Sequence, residues 1–223
     1  MDINKEVILK NYEKVENDVK KYSPYPEKVK ILFVTKYLNI EEHKKIIDMG
    51  FSYFGENKAQ VFRDKLESLE NETLKWDFIG RLQKNKIKYI IKHVNLIHSV
   101  DSISLFEEIN KKASEINRIV NILIQVNVSN EETKTGFDIL ELENLYKIEA
   151  TNGKIKGIMT MAPLIEDKKK LRSYFREVVE IKDNLNKKYN LELEELSMGM
   201  SNDYIEALKE GATIIRIGSK FFE

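Results

Sequence analysis

The stretch ILFVTK, Ile31 to Lys36, drives an apolar run straight into a lysine. Lysine is almost never fully buried without a partner. When desolvated its pKa falls, and the free amine becomes a nucleophile toward aldehydes. Lys36 therefore reads either as a strand-end amine that has reached solvent or as a reactive one. Two segments near the C-terminus bear on the choice. In SMGMSND, Ser197 to Asp203, Ser201 and Asn202 are good helix-capping residues ahead of DYIEALKEGA, a helix predicted to stop at Gly211. In RIGS, Arg216 to Ser219, Gly218 and Ser219 follow an apolar run. The amides of that helix start, with those of Gly218 and Ser219, could cradle a phosphate. Alone, each motif reads more simply as a cap or a tight turn; two such loops on adjacent strands beside a strand-end lysine shift the reading toward a phosphate site. Arg216 places a guanidinium inside TIIRIG: facing outward it is solvated, and facing inward it is a permanent cation and donor beside the phosphate pocket.

These residues need elements to bring them together. The spacing of Ile8, Tyr12, Val15, Val19 and Tyr22 predicts a first helix with one apolar stripe. After it, short apolar runs alternate with helical segments. Strands are predicted at Ile31–Thr35, Ser52–Phe54, Trp76–Ile79, Leu96–Ser99, Ile119–Val128, Ile155–Met159, Glu195–Met198 and Thr213–Ile217. Helical spacing recurs at Phe106, Ile109, Ala113 and Ile116, and at Leu171, Phe175, Val178, Ile181 and Leu185. Runs such as IVNILIQVNV are apolar at nearly every position, as parallel strands covered on both faces are. Eight strands alternating with helices fit an α/β chain folded as a single (β/α)8 TIM barrel with an extra N-terminal helix. An open doubly wound sheet is the competing architecture. No linker or low-complexity run interrupts residues 1–223, so one domain is expected. Barrels carry their chemistry at the carboxyl ends of the strands, with phosphate often held after the seventh and eighth. Those ends carry Lys36, then FGEN with Gly55, Glu56 and Asn57, IGRLQKNK, GIMTMAP, SMGMSND and RIGS. A lysine for an aldehyde, a phosphate cradle and a fixed donor together match the ends of pyridoxal 5′-phosphate.

Composition excludes several other classes. The 223 residues hold 37 basic and 37 acidic side chains, so no whole-protein field draws the chain to nucleic acid or an anionic membrane. There is no cysteine, which removes disulfides and thiolate chemistry. Lys168, Lys169 and Lys170, and the run Lys84, Lys86, Lys88 and Lys92, read as solvated helix faces. His43, His93 and His98 share no metal-ligand spacing. No dinucleotide fingerprint or Walker loop occurs. The charged start is neither a signal peptide nor a membrane span, so a cytoplasmic chain is expected.

Taken in order, Lys36, FGEN, WDFIGRLQKNK, IQVNVSNEETKTGF, GIMTMAP, LSMGMSND and RIGS resemble the pyridoxal phosphate homeostasis proteins, the YggS/PROSC family, from the first strand to the C-terminus. The resemblance implies a barrel like the N-terminal domain of alanine racemase that binds pyridoxal 5′-phosphate. It implies that Lys36 forms the internal aldimine and that Asn57 lies beside the ring. Ser201, Gly218 and Ser219 would hold the phosphate, and Arg216 would face the pyridine nitrogen. Two departures are visible: the chain ends in FFE where the family usually closes with glycine, and Arg81 stands where proline or another residue is common. Lys134, in EETKTGF, is a second lysine that could accept an aldehyde, and it reads more simply as an exposed loop residue.

An arginine at the pyridine nitrogen does not readily give up a proton, so the ring is expected to be a weak electron sink. Racemases of this fold take a second base from a C-terminal β-domain, and the chain ends five residues after Gly218, so none is expected here. The expectation is a monomeric, non-catalytic carrier or buffer of the cofactor in vitamin B6 homeostasis, with apo-forms of cofactor-dependent enzymes as recipients. The alternatives are a small racemase or lyase acting on amino acids, and a Schiff-base aldolase acting without cofactor.

Overall fold

The computed structural model describes residues 3–69, 71–128, 135–137, 139–146, 148 and 150–223, without the side chains of 139 and 140. Lys134 lies outside the described residues. Helix α1 (Lys5–Tyr22) precedes eight strands: β1 (Lys30–Val34), β2 (Tyr53–Glu56), β3 (Lys75–Phe78), β4 (Leu96–Val100), β5 (Val120–Gln125), β6 (Gly153–Met159), β7 (Glu195–Met200) and β8 (Ile214–Ile217). Between them run α2 (Ile40–Asp48), α3 (Ala59–Ser68), the short α4 (Ile87–Ile90), α5 (Ile103–Glu115), α6 (Ile139–Leu145), α7 (Lys168–Tyr189) and α8 (Tyr204–Lys209). Each strand pairs in parallel with the next. Lys30–Phe33 of β1 pair with Ile214–Ile217 of β8, which closes the barrel and excludes the open sheet.

Helix ends and faces follow the sequence. The Asn4 side chain accepts the N–H groups of Glu6 and Val7 and starts α1, whose Ile8, Val15 and Val19 are buried. Asp167 does the same for Lys169 and Lys170 at the start of α7, which buries Leu171, Phe175, Val178, Ile181 and Leu185. These stripes meet outward-facing strand residues such as Phe54, Trp76, Phe78 and Ile122 in one large apolar layer. Each such side chain contributes about 1.5–3 kcal/mol on burial.

The apolar cluster inside the barrel is far smaller: Leu32, Leu96, Leu123, Met159 and Ile214, with Tyr53 and Ile79 against it. Alternation along the strands then sends Asp77, two residues before Ile79, His98, two after Leu96, and Arg216, two after Ile214, inward as well. All three are buried.

The strand limits differ from expectation at two functional ends. β2 runs on to Glu56, because the Glu56 carboxylate finds buried partners in Thr35 and Lys65. Asn57 is thus the first residue beyond the strand. β7 continues to Met200, with a register shift between Ser197 and Met200. β5 stops at Gln125, short of the predicted Val128. Among the described residues no helix is long and apolar enough to cross a membrane.

Candidate functional site

A cavity of about 590 Å³ at the carboxyl ends of the strands is lined by Lys36, Asn57, Ser201, Arg216, Gly218 and Ser219, all six residues singled out from the sequence. They come from the ends of four strands, β1, β2, β7 and β8, far apart in the chain. A cleft of about 620 Å³ elsewhere, lined by Phe106, Ile119, Tyr146 and their neighbours, holds none of these groups.

Lys36 occupies a turn just past β1 and is exposed, its Nζ 4.8 Å from the centre of the Tyr37 ring. The strand therefore ends its burial at Thr35 and delivers the amine to the mouth. Thr35 is fully buried and tightly held: its N–H donates to Gly55 O at 3.1 Å, and its carbonyl accepts from Leu38 N–H at 3.0 Å. That carbonyl also accepts from Lys65 Nζ at 2.8 Å. Lys65, on α3, pairs with Glu56 in the interior, and Thr35 Oγ1 donates to the same carboxylate at 3.2 Å. Burial lowers the Lys65 pKa and the Glu56 charge opposes that shift. One ion pair thus braces both the turn carrying Lys36 and the strand end leading to Asn57.

Asn57 depends on a close backbone approach. A Cβ at Gly80 would lie 1.9 Å from Asn57 O, so only glycine lets the end of β3 touch this loop. Ser99 Oγ fixes Gly80 from the other side by donating to its carbonyl.

Arg216 is 5% exposed. Its Nη1 donates to Ser197 O and Ser197 Oγ, both at 2.7 Å, and its Nη2 to Thr160 O at 2.9 Å. These are its acceptors among the described residues, so two of its five N–H groups remain for a ligand in the cavity it lines. Burial pushes its pKa down to about 10, which still leaves it cationic at neutral pH.

At the corner where a phosphate is expected, the structure reassigns one role. Gly199, at φ +91, turns the chain where a side chain would strike Ala207 and Tyr204. Asp203, not Ser201 or Asn202, holds the cap position of α8, and no side chain caps that helix. Asp203 instead accepts the N–H of Met200, and burial raises its pKa. Ser201 reaches across to β8: its Oγ accepts the N–H groups of Gly218 at 3.3 Å and Lys220 at 3.5 Å. Its hydroxyl proton is left free to donate. The N–H of Ser219 opens the 3-10 turn Ser219–Phe221 and so has no acceptor within that turn. A free amine, a fixed guanidinium and a hydroxyl–amide corner on one cavity fit a phosphorylated aldehyde with a polar atom facing Arg216.

Sequence reasoning missed several participants. Tyr37, Arg81 and Asp203 also line the cavity. Ser197 and Thr160 supply the acceptors of Arg216 among the described residues, and His98 stands behind Ser197. The available signal was polar residues at inward positions of otherwise apolar strands, as in LIHSV. His43 is a core residue and His93 is exposed. No cluster of metal-ligating side chains occurs among the described residues.

The barrel and the placement of this cavity define a class. The family model of the alanine racemase N-terminal domain matches residues 40–222, beginning just after Lys36. A pyridoxal phosphate homeostasis protein of Aquifex aeolicus is 44% identical over 195 residues, covering 86% of each chain. Another from Synechocystis is 36% identical, covering 88% of this chain and 92% of its own. The structure of PipY from Synechococcus elongatus with PLP bound superposes at a TM-score of 0.87 with 30% identity, over 97% of this chain and 100% of that one. The chain belongs to the pyridoxal phosphate homeostasis protein family.

Proposed function

We propose that this chain binds pyridoxal 5′-phosphate covalently at Lys36 and serves, as a monomer of one domain in the cytoplasm, to buffer the cofactor and pass it to apo-enzymes. The convergence of Lys36, Asn57, Ser201, Arg216, Gly218 and Ser219 on one cavity carries this reading. When bound, the cofactor supplies an aldehyde for the amine and, in enzymes, an electron sink for carbanions.

Each residue has a task. The Lys36 amine, exposed at the mouth, would hold the cofactor through its aldehyde. The Ser201 hydroxyl and the Ser219 N–H would hold the phosphate, with Gly218 fixing Ser201 by donating its N–H to the serine oxygen. Asn57 flanks the ring. Arg216 would face the ring nitrogen and, cationic at neutral pH, would yield no proton to it. That arrangement supports a poor sink, and hence a carrier rather than a catalyst. The mouth also suits release: Tyr37, Met161, Leu164 and Met200 around it are exposed, Leu164 at 91%.

The test is a visible spectrum of the purified chain and of Lys36→Ala, before and after borohydride, with peptide mapping. The expected result is a yellow band, reduced by borohydride and mapped to Lys36, and absent in the variant. Loaded protein should then reactivate a cofactor-dependent apo-enzyme faster than the cofactor is lost spontaneously. Turnover of an amino acid at ordinary enzyme rates, abolished by Lys36→Ala, would replace the carrier with a racemase or lyase. A colourless protein that stays colourless with added cofactor would favour the aldolase.

A further inference from the structure

The interior of the barrel holds a polar chain that the site above does not explain. It runs from the barrel floor to the mouth through five strands. Tyr53 of β2 donates its hydroxyl to Asp77 of β3, and the Asn95 amide donates to the same carboxylate at 2.7 Å. His98 Nε2 of β4 lies 2.9 Å from Asp77 Oδ2, and its Nδ1 lies 2.8 Å from Ser197 Oγ of β7. Ser197 Oγ is in turn 2.7 Å from Arg216 Nη1 of β8. Asp77, His98 and Ser197 are each 0% exposed.

Chemistry fixes the direction of this chain. A guanidinium can only donate, so Ser197 Oγ accepts from Arg216. At the other end the Asp77 carboxylate accepts from His98 Nε2, so in the neutral ring Nδ1 is the acceptor and the serine proton bridges to it. The imidazole proton therefore sits on Nε2 and goes to Asp77. From Asp77 through His98 and Ser197 to Arg216 Nη1, each junction then has one donor and one acceptor. Burial, helped by the Arg216 charge and opposed by Asp77, lowers the His98 pKa and keeps the ring neutral. A second proton, on Nδ1, would confront a hydroxyl already accepting from Arg216 and leave the serine proton no acceptor.

We propose that Ser197 and His98 are positioning residues for Arg216, forming with Asp77 a directed hydrogen-bond chain that aims the guanidinium at the mouth and holds it there. The barrel packs Leu and Ile at neighbouring inward sites, and a buried polar array is costly compared with that filling unless every member is satisfied. Here it is satisfied, and its one exit at the mouth is the residue given to the ring nitrogen. This assignment rests on the reading that Arg216 faces that nitrogen and says what keeps it there. Without the chain, Nη1 keeps only the backbone oxygen of Ser197, and the guanidinium gains freedom to turn.

The test uses the full chain labelled with ¹⁵N at histidine and arginine, as wild type, Ser197→Ala and Ser197→Thr. Without cofactor, His98 is expected as the neutral ring protonated on Nε2, with an Nδ1 signal shifted by its accepted hydrogen bond. Ser197→Ala should lose that shift and speed exchange of the Arg216 N–H protons with water by about tenfold, the equivalent of one hydrogen bond to a charged group. Ser197→Thr, which keeps the hydroxyl, should restore both. A wild-type His98 protonated on Nδ1, or an unchanged Arg216 signal in Ser197→Ala, overturns the proposal whether or not the cofactor binds. The second arm loads the three proteins with pyridoxal 5′-phosphate labelled at the pyridine nitrogen. Its ¹⁵N signal should move in Ser197→Ala and return in Ser197→Thr. An unmoved pyridine signal with a covalent link intact overturns the link from chain to ligand. Absence of the covalent link in wild type, with the first arm as expected, is instead the failure of the cofactor reading.

Discussion

At the scale of single residues, the apolar layer between the strands and α2 isolates a second buried histidine. His43 is 0% exposed, both its ring nitrogens lack partners among the described residues, and its ring centre lies 4.3 Å from Phe54 and 4.9 Å from Trp76. Burial, with the Lys65 charge nearby, pushes its pKa from 6.5 down to about 3. The folded state therefore favours the neutral ring more than the unfolded chain does. That stability is fully present above pH 6.5 and is lost as the pH falls from there toward about 3. The slope approaches ~1.4 kcal/mol per pH unit, and down to about pH 5 it is largely free of carboxylate titration. Urea denaturation across that upper part of the window should show a falling midpoint in the wild type and a flatter profile in His43→Leu. Of the cavity residues, Lys36, Ser201, Gly218 and Ser219 were legible because barrels place their chemistry at strand ends, whereas Asn57 and Arg216 rested mainly on the family resemblance, since sequence does not show which strand faces point inward. His98 and Ser197 were not, because their importance lies in a partner on a distant strand, and local pattern carries no cross-barrel distance.

At the scale of elements, the β1 and β2 ends act as one unit through Glu56 and Lys65. Lys65→Met leaves the Glu56 charge buried without its cation, which costs about 3–5 kcal/mol, and frees the Thr35 carbonyl. A double change with Glu56→Gln should recover much of the stability, while the rate of covalent attachment at Lys36 stays depressed in both. Equal attachment rates in wild type and variants would show that the pair serves stability alone. Gly80→Ala tests the neighbouring contact: the added Cβ displaces the Asn57 loop, so cofactor affinity should fall with Lys36 still modified. The eight strands and the two long apolar helices followed from periodicity. The end of β2 did not, since a glycine and a glutamate read as a strand terminus until Lys65, nine residues on, supplies a buried partner.

At the scale of the whole molecule, closure was the step that periodicity could not supply, because each segment reads the same in an open sheet. Once closed, the barrel brings the two termini together around the phosphate corner. The Tyr12 ring of α1 lies tilted 5.5 Å from Phe221, the last residue of the turn that begins at Ser219, and edge-on 4.8 Å from Phe51. Asn11 donates to Glu223 O at 2.8 Å, and Tyr204, the first residue of α8, donates to Asp18 at 2.5 Å. The first helix, which carries no signature of its own, thereby holds the turn that presents the Ser219 N–H and the short helix beside Ser201. Tyr12→Ala removes a ring from that seam and should destabilise the fold by about 2 kcal/mol, at the low end for a large core truncation because Tyr12 is only partly buried. Its specific consequence is expected at the phosphate. Affinity for pyridoxal 5′-phosphate should fall well below wild type, whereas affinity for pyridoxal, which has the aldehyde but no phosphate, should hardly change. Titration of both compounds by visible absorbance measures the ratio. An equal loss for the two would place the effect on the barrel as a whole, and no loss for either would mean that the turn keeps its shape without α1.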